Sequence, residues 1–507
     1  MTKPRSTFVL VTALIALWLT STAAQALNLP RIFSDNMVLQ RGIPLKVWGW
    51  ADPGQSVEVS FSAQKKITKA GEDGKWAVTL DPLLANAEPG ELSIAAGTQR
   101  VSIKNVLVGE VWICSGQSNM EWTLKDTDHA ADTIAAANFP LIRQFKVPHV
   151  TNAKPQKDLP GDWAVCSPGT AANFTGVGYY FGLQLYKKLN VPIGLINTSW
   201  GGTRIEPWTD PEGFKLSPGL KDISELIANA DKVHRQNQAA KLDQLEVWVK
   251  QSREALEKGS SLSAFPGGMP EHPLNASDRP TSIYNAMIAP LVSYGIRGAI
   301  WYQGESNNGE GMLYFEKMKA LIGSWRRLWE QGDFPFLYVQ LAPYRYNKPE
   351  ALPGIWEAQL AALAIPNTGM AVITDIGNVA DIHPRNKEDV GRRLSLWALA
   401  KTYGESGLEY SGPIYKAMKV EGNKAILTFD HGDGLKSLDG KPFTWFTIAA
   451  DDKKFVEAKA EVVGNTVLVS SDGVANPAAV RFGWHETAEP NLGNGAGLPA
   501  SPFRTDK

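Results

Sequence analysis

Between residues 105 and 403 the chain repeats a pattern that few folds accommodate: short continuous apolar runs, bounded by turn residues and separated by stretches of helical period. Strands buried on both faces read as unbroken apolar runs, and parallel strands need crossovers, usually helices, lying on the faces of the sheet. Five runs are predicted strands, at 106–114, 191–197, 298–302, 336–340 and 370–374. Helices are predicted over 178–189, where Tyr180, Phe181, Leu185 and Leu189 share a face, and over 311–329, 356–363 and 388–401. The centre of the chain therefore reads as an α/β domain, a parallel sheet with helices on both faces.

The flanks have a different period. From 27 to 104 short β-type runs alternate with turns such as Asp52-Pro53-Gly54 and Asp73-Gly74, which predicts an N-terminal antiparallel β domain. From 404 to 507 alternation returns, with runs at 425–429, 443–449, 466–470 and 479–482, and predicts a C-terminal all-β region. A polar, helix-rich insertion at about 214–280 reads as a helical hairpin over one edge of the α/β domain, either a lid or a solvated decoration.

Lys and Arg number 51 against 52 Asp and Glu, so bulk charge argues against nucleic acid or an anionic membrane as a partner. Lys3 and Arg5 precede an apolar run at 8–19 and small residues ending in Ala24-Gln25-Ala26. This predicts a leader cut after Ala26, a secreted or periplasmic protein, and no membrane attachment afterwards, because the run is too short for a span. In an oxidising compartment the only two cysteines, Cys114 and Cys166, either pair or remain buried thiols. The 17 tryptophans suit sugar-stacking surfaces or a large aromatic core.

Ligands of open parallel sheets bind beyond the carboxyl ends of the strands, where four of the five predicted strands carry unusual residues. They are followed by Gly116-Gln117-Ser118-Asn119-Met120, by Trp200-Gly201-Gly202-Thr203, by Gln303-Gly304-Glu305-Ser306-Asn307, and by Asp375 and Asp381-Ile382-His383-Pro384. A serine hydroxyl is a weak nucleophile until an imidazole takes its proton, and a carboxylate should hold that imidazole in the right tautomer. Of the seven histidines only His383 falls in this row; those at 129, 149, 234, 272, 431 and 485 lie outside it. Asp381 can orient His383 across a turn, and Asp375 competes for that role. Oxyanion donors are expected from the backbone N–H groups of Ser118 and of Gly201 or Gly202, with Gln303 adding a side-chain amide. Gly-x-Ser-x-Gly is missing around Ser118, His485-Glu486 lacks the second histidine of a zinc motif, and 493–497 opens no helix. No metal or cofactor is expected.

These blocks, with Phe33-Ser34-Asp35-Asn36-Met37-Val38-Leu39-Gln40 near the start and Leu498-Pro499-Ala500-Ser501-Pro502-Phe503-Arg504 at the end, resemble the SGNH hydrolases, and within them the sialate O-acetylesterase group of carbohydrate acetylesterases. The resemblance implies a flavodoxin-like parallel sheet, Ser118 as nucleophile, His383 as base, Asp381 as its partner, and an oxyanion hole from Ser118, Gly201, Gly202 and Gln303. Gln303 stands where the common pattern has Asn, and Asp381-Ile382-His383 is one residue shorter than Asp-x-x-His. The implied reaction is removal of acetyl groups from an acetylated carbohydrate, such as sialic acid or xyloglucan, through an acetyl-enzyme. Rival readings are an inactive carbohydrate-binding protein and an esterase or thioesterase for longer acyl chains. Arg204, Glu305 and Asn119 are candidate substrate contacts, although Arg204 could instead pair with Glu206. Trp122, Trp200 and Trp208 are candidate stacking surfaces, whereas Trp301 is expected in the sheet core.

Overall fold

The computed structural model describes residues 26–506. The expected leader thus lies outside the described residues except for Ala26. At the N-terminal end, strands of alternating burial pair Leu45–Trp50 antiparallel with Lys75–Leu80, and Ser56–Phe61 pairs antiparallel with both Gln64–Lys69 and Asn86–Ala96. The strand Gln99–Gly116 joins this region to the rest; its 18 residues span about 60 Å at ~3.3 Å each. Its first part pairs antiparallel with Asn86–Ala96, and its second part pairs parallel with Ile193–Asn197 and Gly298–Tyr302. The boundary expected at 104 falls inside this strand. Asn105 sits there at φ 56°, a left-handed conformation that asparagine tolerates, and the buried Arg143 guanidinium donates to its Oδ1 (2.9 Å) and to the Asn36 carbonyl (2.9 Å).

Across the central sheet the order is Thr368–Ala371, Phe336–Val339, Gly298–Tyr302, Gln99–Gly116, Ile193–Asn197, Phe139–Lys146 and Trp163–Cys166. All neighbours are parallel except the last pair, so the sheet is mixed. Later strands of the chain flank Gln99–Gly116 on both sides, which makes its carboxyl end a switch point in strand order, the kind of place where such sheets open a crevice. The helices Gly176–Leu189 and Lys387–Trp397 cross closely, because Gly391 leaves no side chain where a Cβ would lie 2.7 Å from the Phe181 nitrogen. The five predicted strands are present; Phe139–Lys146 and Trp163–Cys166 were not foreseen.

The insertion is a single helix, Lys221–Glu257, about 55 Å long at ~1.5 Å per residue, and not a hairpin. No Gly or Pro interrupts it, and the Gly/Ser/Pro-rich segment that follows cannot supply a second helix. Its base packs through Ile223 and Ile227 on Phe214, Leu220 and Ala320. The C-terminal region forms two four-stranded antiparallel sheets around a core of its own. Arg504 ties it to the α/β domain through both oxygens of Glu357, at 3.0 and 2.9 Å. Cys114 and Cys166 are separate buried thiols, which decides between the two expectations for them. Among the described residues no helix is long and apolar enough to cross a membrane.

Candidate active site

The strand Gln99–Gly116 ends where only glycine fits: Gly116 has φ 133°, and a Cβ there would lie 2.2 Å from the Tyr302 carbonyl oxygen. The chain turns at Gln117 into the short helix Ser118–Glu121, so the Ser118 N–H falls in a first turn that offers no intrahelical acceptor. His383 arrives from the loop after Thr368–Ala371, with Nε2 2.8 Å from Ser118 Oγ. Its ring stacks on Trp122, centroids 4.7 Å apart and planes 19° from parallel.

The two candidate orienters are in different situations. Asp375 is held by Arg393 through two contacts of 2.6 Å, which removes it from the imidazole. Asp381 Oδ1 accepts the backbone N–H of His383 at 2.9 Å and stands 3.8 Å from Nδ1, too far for a hydrogen bond to the ring. Asp381 therefore fixes the turn directly and acts on the ring as a nearby charge. Burial lowers the His383 pKa, the charge of Lys387 lowers it further, and Asp381 opposes both, so the imidazole is biased toward its neutral form.

Beneath the pair lies a buried polar chain. Asn119 donates through Nδ2 to Glu305 Oε1 (2.6 Å) and to the Ile382 carbonyl (2.9 Å), and its Oδ1 accepts from Lys387 Nζ. Burial depresses the Lys387 pKa from 10.5 to about 7 and raises that of Glu305. Asn119 is thus an interior group, and the expectation that it touches substrate is corrected by its burial, whereas Glu305 is half-buried, with its Oε2 out of solvent and without a hydrogen-bond partner among the described residues.

The expected oxyanion donors divide as well. Gly201 lies against Ser118, where a Cβ would be 3.2 Å from the serine Cβ, but its N–H donates to Glu121 Oε2 at 2.7 Å. Gly202, at φ 74°, faces open space, and no acceptor among the described residues engages its N–H. Gln303 is corrected: both N–H positions of its buried amide are occupied, by Thr203 O (3.2 Å) and Asn307 Oδ1 (2.8 Å), and Tyr314 OH donates to its Oε1. Arg204 pairs with Glu206 and Glu310, which buried Lys317 also holds, so its structural alternative is the one observed. Trp208 and Trp301 are fully buried, which removes Trp208 from the stacking candidates, while Trp122 and Trp200 remain half-exposed.

Three residues at the site were missed: Glu121, Lys387 and His149. His149 follows the unforeseen strand Phe139–Lys146, stacks on Trp200 with centroids 4.4 Å apart, and approaches Glu121 Oε1 at 2.9 Å. Burial would raise the Glu121 pKa, but His149 and the Gly201 N–H outweigh it and hold the carboxylate low. The signal for His149 was available only through that strand: once 139–146 is a strand, His149 joins the row of strand ends. Among the described residues no three His, Cys, Asp or Glu side chains could together hold a metal ion.

A hydroxyl and an imidazole meeting at the strand ends of a mixed α/β sheet are the equipment of an ester hydrolase, and the class here is the carbohydrate O-acetylesterases. The chain belongs to the carbohydrate esterase, sialic acid-specific acetylesterase family, whose model matches residues 108–242 and 259–395. It is 29% identical over 500 residues to the sialate O-acetylesterase of Rattus norvegicus, covering 89% of this chain and 88% of that one. The sialate O-acetylesterase of Homo sapiens is 29% identical over 542 residues, covering 96% and 94%. The crystal structure of a carbohydrate acetylesterase from Xanthomonas citri superposes with a TM-score of 0.81 at 37% identity, covering 95% of this chain and all of that one.

Proposed function

We propose that this protein is an SGNH-type serine esterase that removes O-acetyl groups from carbohydrate through an acetyl-enzyme on Ser118. The observation that carries the proposal is the 2.8 Å contact between His383 Nε2 and Ser118 Oγ, which is already within proton-transfer reach. Nε2 takes the Oγ proton as Oγ bonds the acetyl carbonyl carbon, and the carbonyl electron pair moves to oxygen. The N–H groups of Ser118 and Gly202 are the donors assigned to that oxyanion. One such donor is worth roughly 3–4 kcal/mol in the transition state. Collapse breaks the bond to the sugar oxygen, which leaves with the proton from His383. Water then repeats the sequence: Nε2 takes its proton, its oxygen bonds the carbonyl carbon, and Oγ departs protonated, releasing acetate.

The substrate assigned is an O-acetylated sugar, a sialic acid or a plant-type polysaccharide such as xyloglucan; the family description supports the first. The same reading assigns 27–104, 105–403 and 404–507 to three modules and 1–26 to a leader whose removal makes Leu27 the first residue of the exported protein, which a terminal mass measurement tests. Acetate release from a panel of acetylated glycans tests the function. It is expected to vanish in Ser118→Ala and to be faster with acetyl than with octanoyl esters. Undiminished release by Ser118→Ala, or a preference for the longer chain, contradicts the proposal.

A further inference from the structure

The outward face of the N-terminal strand pair Leu45–Trp50 and Lys75–Leu80 carries side chains that a solvated strand does not need. In Leu45–Trp50 burial alternates so that Leu45, Val47 and Gly49 turn inward, while Lys46, Trp48 and Trp50 share the other face. The partner strand presents Lys75 opposite Trp50 and the small Ala77 opposite Trp48; both indoles are partly covered, that of Trp48 by the edge-on Phe33 ring with centroids 4.7 Å apart. Along the strand the two indoles are about 6.5–7 Å apart, the spacing of alternate residues. Outward positions of such strand pairs are ordinarily polar, so a pair of tryptophans there is unusual.

This face is one wall of a groove of about 530 Å³, whose other wall is the turn at Val292 and Ser293 of the α/β domain. Ser293 is held there at φ 79°, and Lys46 Nζ reaches its hydroxyl at 3.5 Å. Lys46 and Lys69 stand on the rim together with Lys75, which is ion-paired with Asp73 at 2.7 Å; no Asp or Glu itself lines the groove. In a chain whose formal charge is −1, three lysines around one groove are a local arrangement and not a consequence of composition. Flat apolar rings suit the C–H faces of pyranose rings, and a cationic rim suits carboxylates.

We infer that this groove is a second glycan site, which binds a carboxylate-bearing oligosaccharide segment apart from the serine and imidazole of the esterase site. It would hold an acidic polymer against the enzyme whether or not that segment is acetylated.

The test is affinity electrophoresis of the full chain in gels containing polygalacturonate, which carries carboxylates and no acetyl ester, with a neutral xylan as the control. Retardation by polygalacturonate that falls at least tenfold in Trp48→Ala/Trp50→Ala, with kcat/KM for p-nitrophenyl acetate within twofold of the parent, is the expected result. Lys46→Glu/Lys69→Glu, at exposed positions, is expected to abolish retardation too. The inference is overturned by an unretarded parent, by variants retarded as strongly as the parent, or by equal retardation in xylan. It is also overturned if sedimentation finds a dimer that the tryptophan variant disperses, since a second copy would then be the occupant. Loss of Ser118-dependent hydrolysis plays no part in this readout, so the two proposals fail separately.

Discussion

Replacing Asp381 by Asn should reduce kcat/KM by only about 5- to 30-fold. The substitution keeps an oxygen able to accept the His383 backbone N–H, so the turn survives and only the charge beside the imidazole is removed. At 3.8 Å a unit charge stabilises the imidazolium by about 1 kcal/mol at the permittivity of water and about 4 kcal/mol at an effective permittivity near 20. The Asp381 side chain is 44% exposed and that of His383 27%, so screening places the effect near the lower figure, at roughly 1–2 kcal/mol. A buried carboxylate bonded to Nδ1 behaves differently: removing its charge in a serine protease triad costs ~10⁴-fold. The assay is p-nitrophenyl acetate hydrolysis between pH 5 and 9, with acetate release from an acetylated glycan as a check. Because Asp381 raises the His383 pKa, its neutralisation should also move the acid limb of the kcat/KM profile to lower pH. A loss of 10³-fold or more, or an acid limb that moves upward, would refute the view that Asp381 acts as a loosely coupled charge.

Removing the opposing charge with Lys387→Met should move the same acid limb to higher pH, since Lys387 lowers the His383 pKa. In the parent, the unfolded state holds the Lys387 proton up to its ordinary 10.5 and the folded state releases it near 7, so stability from this group rises as pH climbs through that window; urea midpoints measured from pH 7 to 10 should show the rise in the parent and lose this contribution in the variant. Glu110→Gln should destabilise the fold by about 3 kcal/mol in guanidinium titration, because the fully buried carboxylate neutralises Arg41 and Arg297 and accepts from Tyr403 OH at 3.0 Å. A thiol reagent should find both cysteines only after unfolding and without prior reduction, as burial pushes the Cys166 thiol up to about 11 and Cys114 higher still.

The α/β strands that carry Ser118 and the diglycine were legible because their residues are apolar without interruption, and His383 because it alone among the histidines shared that row. Phe139–Lys146 was not, because it carries Arg143 and Gln144, which look like surface residues in sequence and are each 3% exposed in the fold. Their burial is made possible by distant partners: Asn105 and Asn36 for Arg143, and the Thr175 N–H for Gln144 Oε1 at 2.9 Å. No local pattern reports such partners. The same limit explains Gln303 and Gly201, since sequence shows that an amide or a glycine is present but not which acceptor already holds its N–H. In the insertion, the spaced apolar residues around Ile223 and Leu242 suggested two helices, yet only a breaker between them could have made two, and none is there.

The part of the site least visible in sequence is also the part that sets the Ser118–His383 distance. Ser118 and His383 sit on segments 265 positions apart, and a contact of 2.8 Å across that separation needs a tether between the two turns. Asn119 is that tether, being adjacent to Ser118 and bonded to the carbonyl of Ile382, the residue before His383. Its orientation has one low-energy choice: reversing the amide would turn its NH₂ toward the Lys387 ammonium and its oxygen toward the Glu305 carboxylate. The two ionisable groups therefore act together as a key for one amide, which is a reason for a hydrolase to keep a lysine in its interior although burial disfavours its charge. It follows that Asn119→Asp, nearly identical in shape but without donors to Glu305 and Ile382, should loosen the pair and lower kcat more than it raises KM, whereas a sugar-contact role would have put the loss in KM.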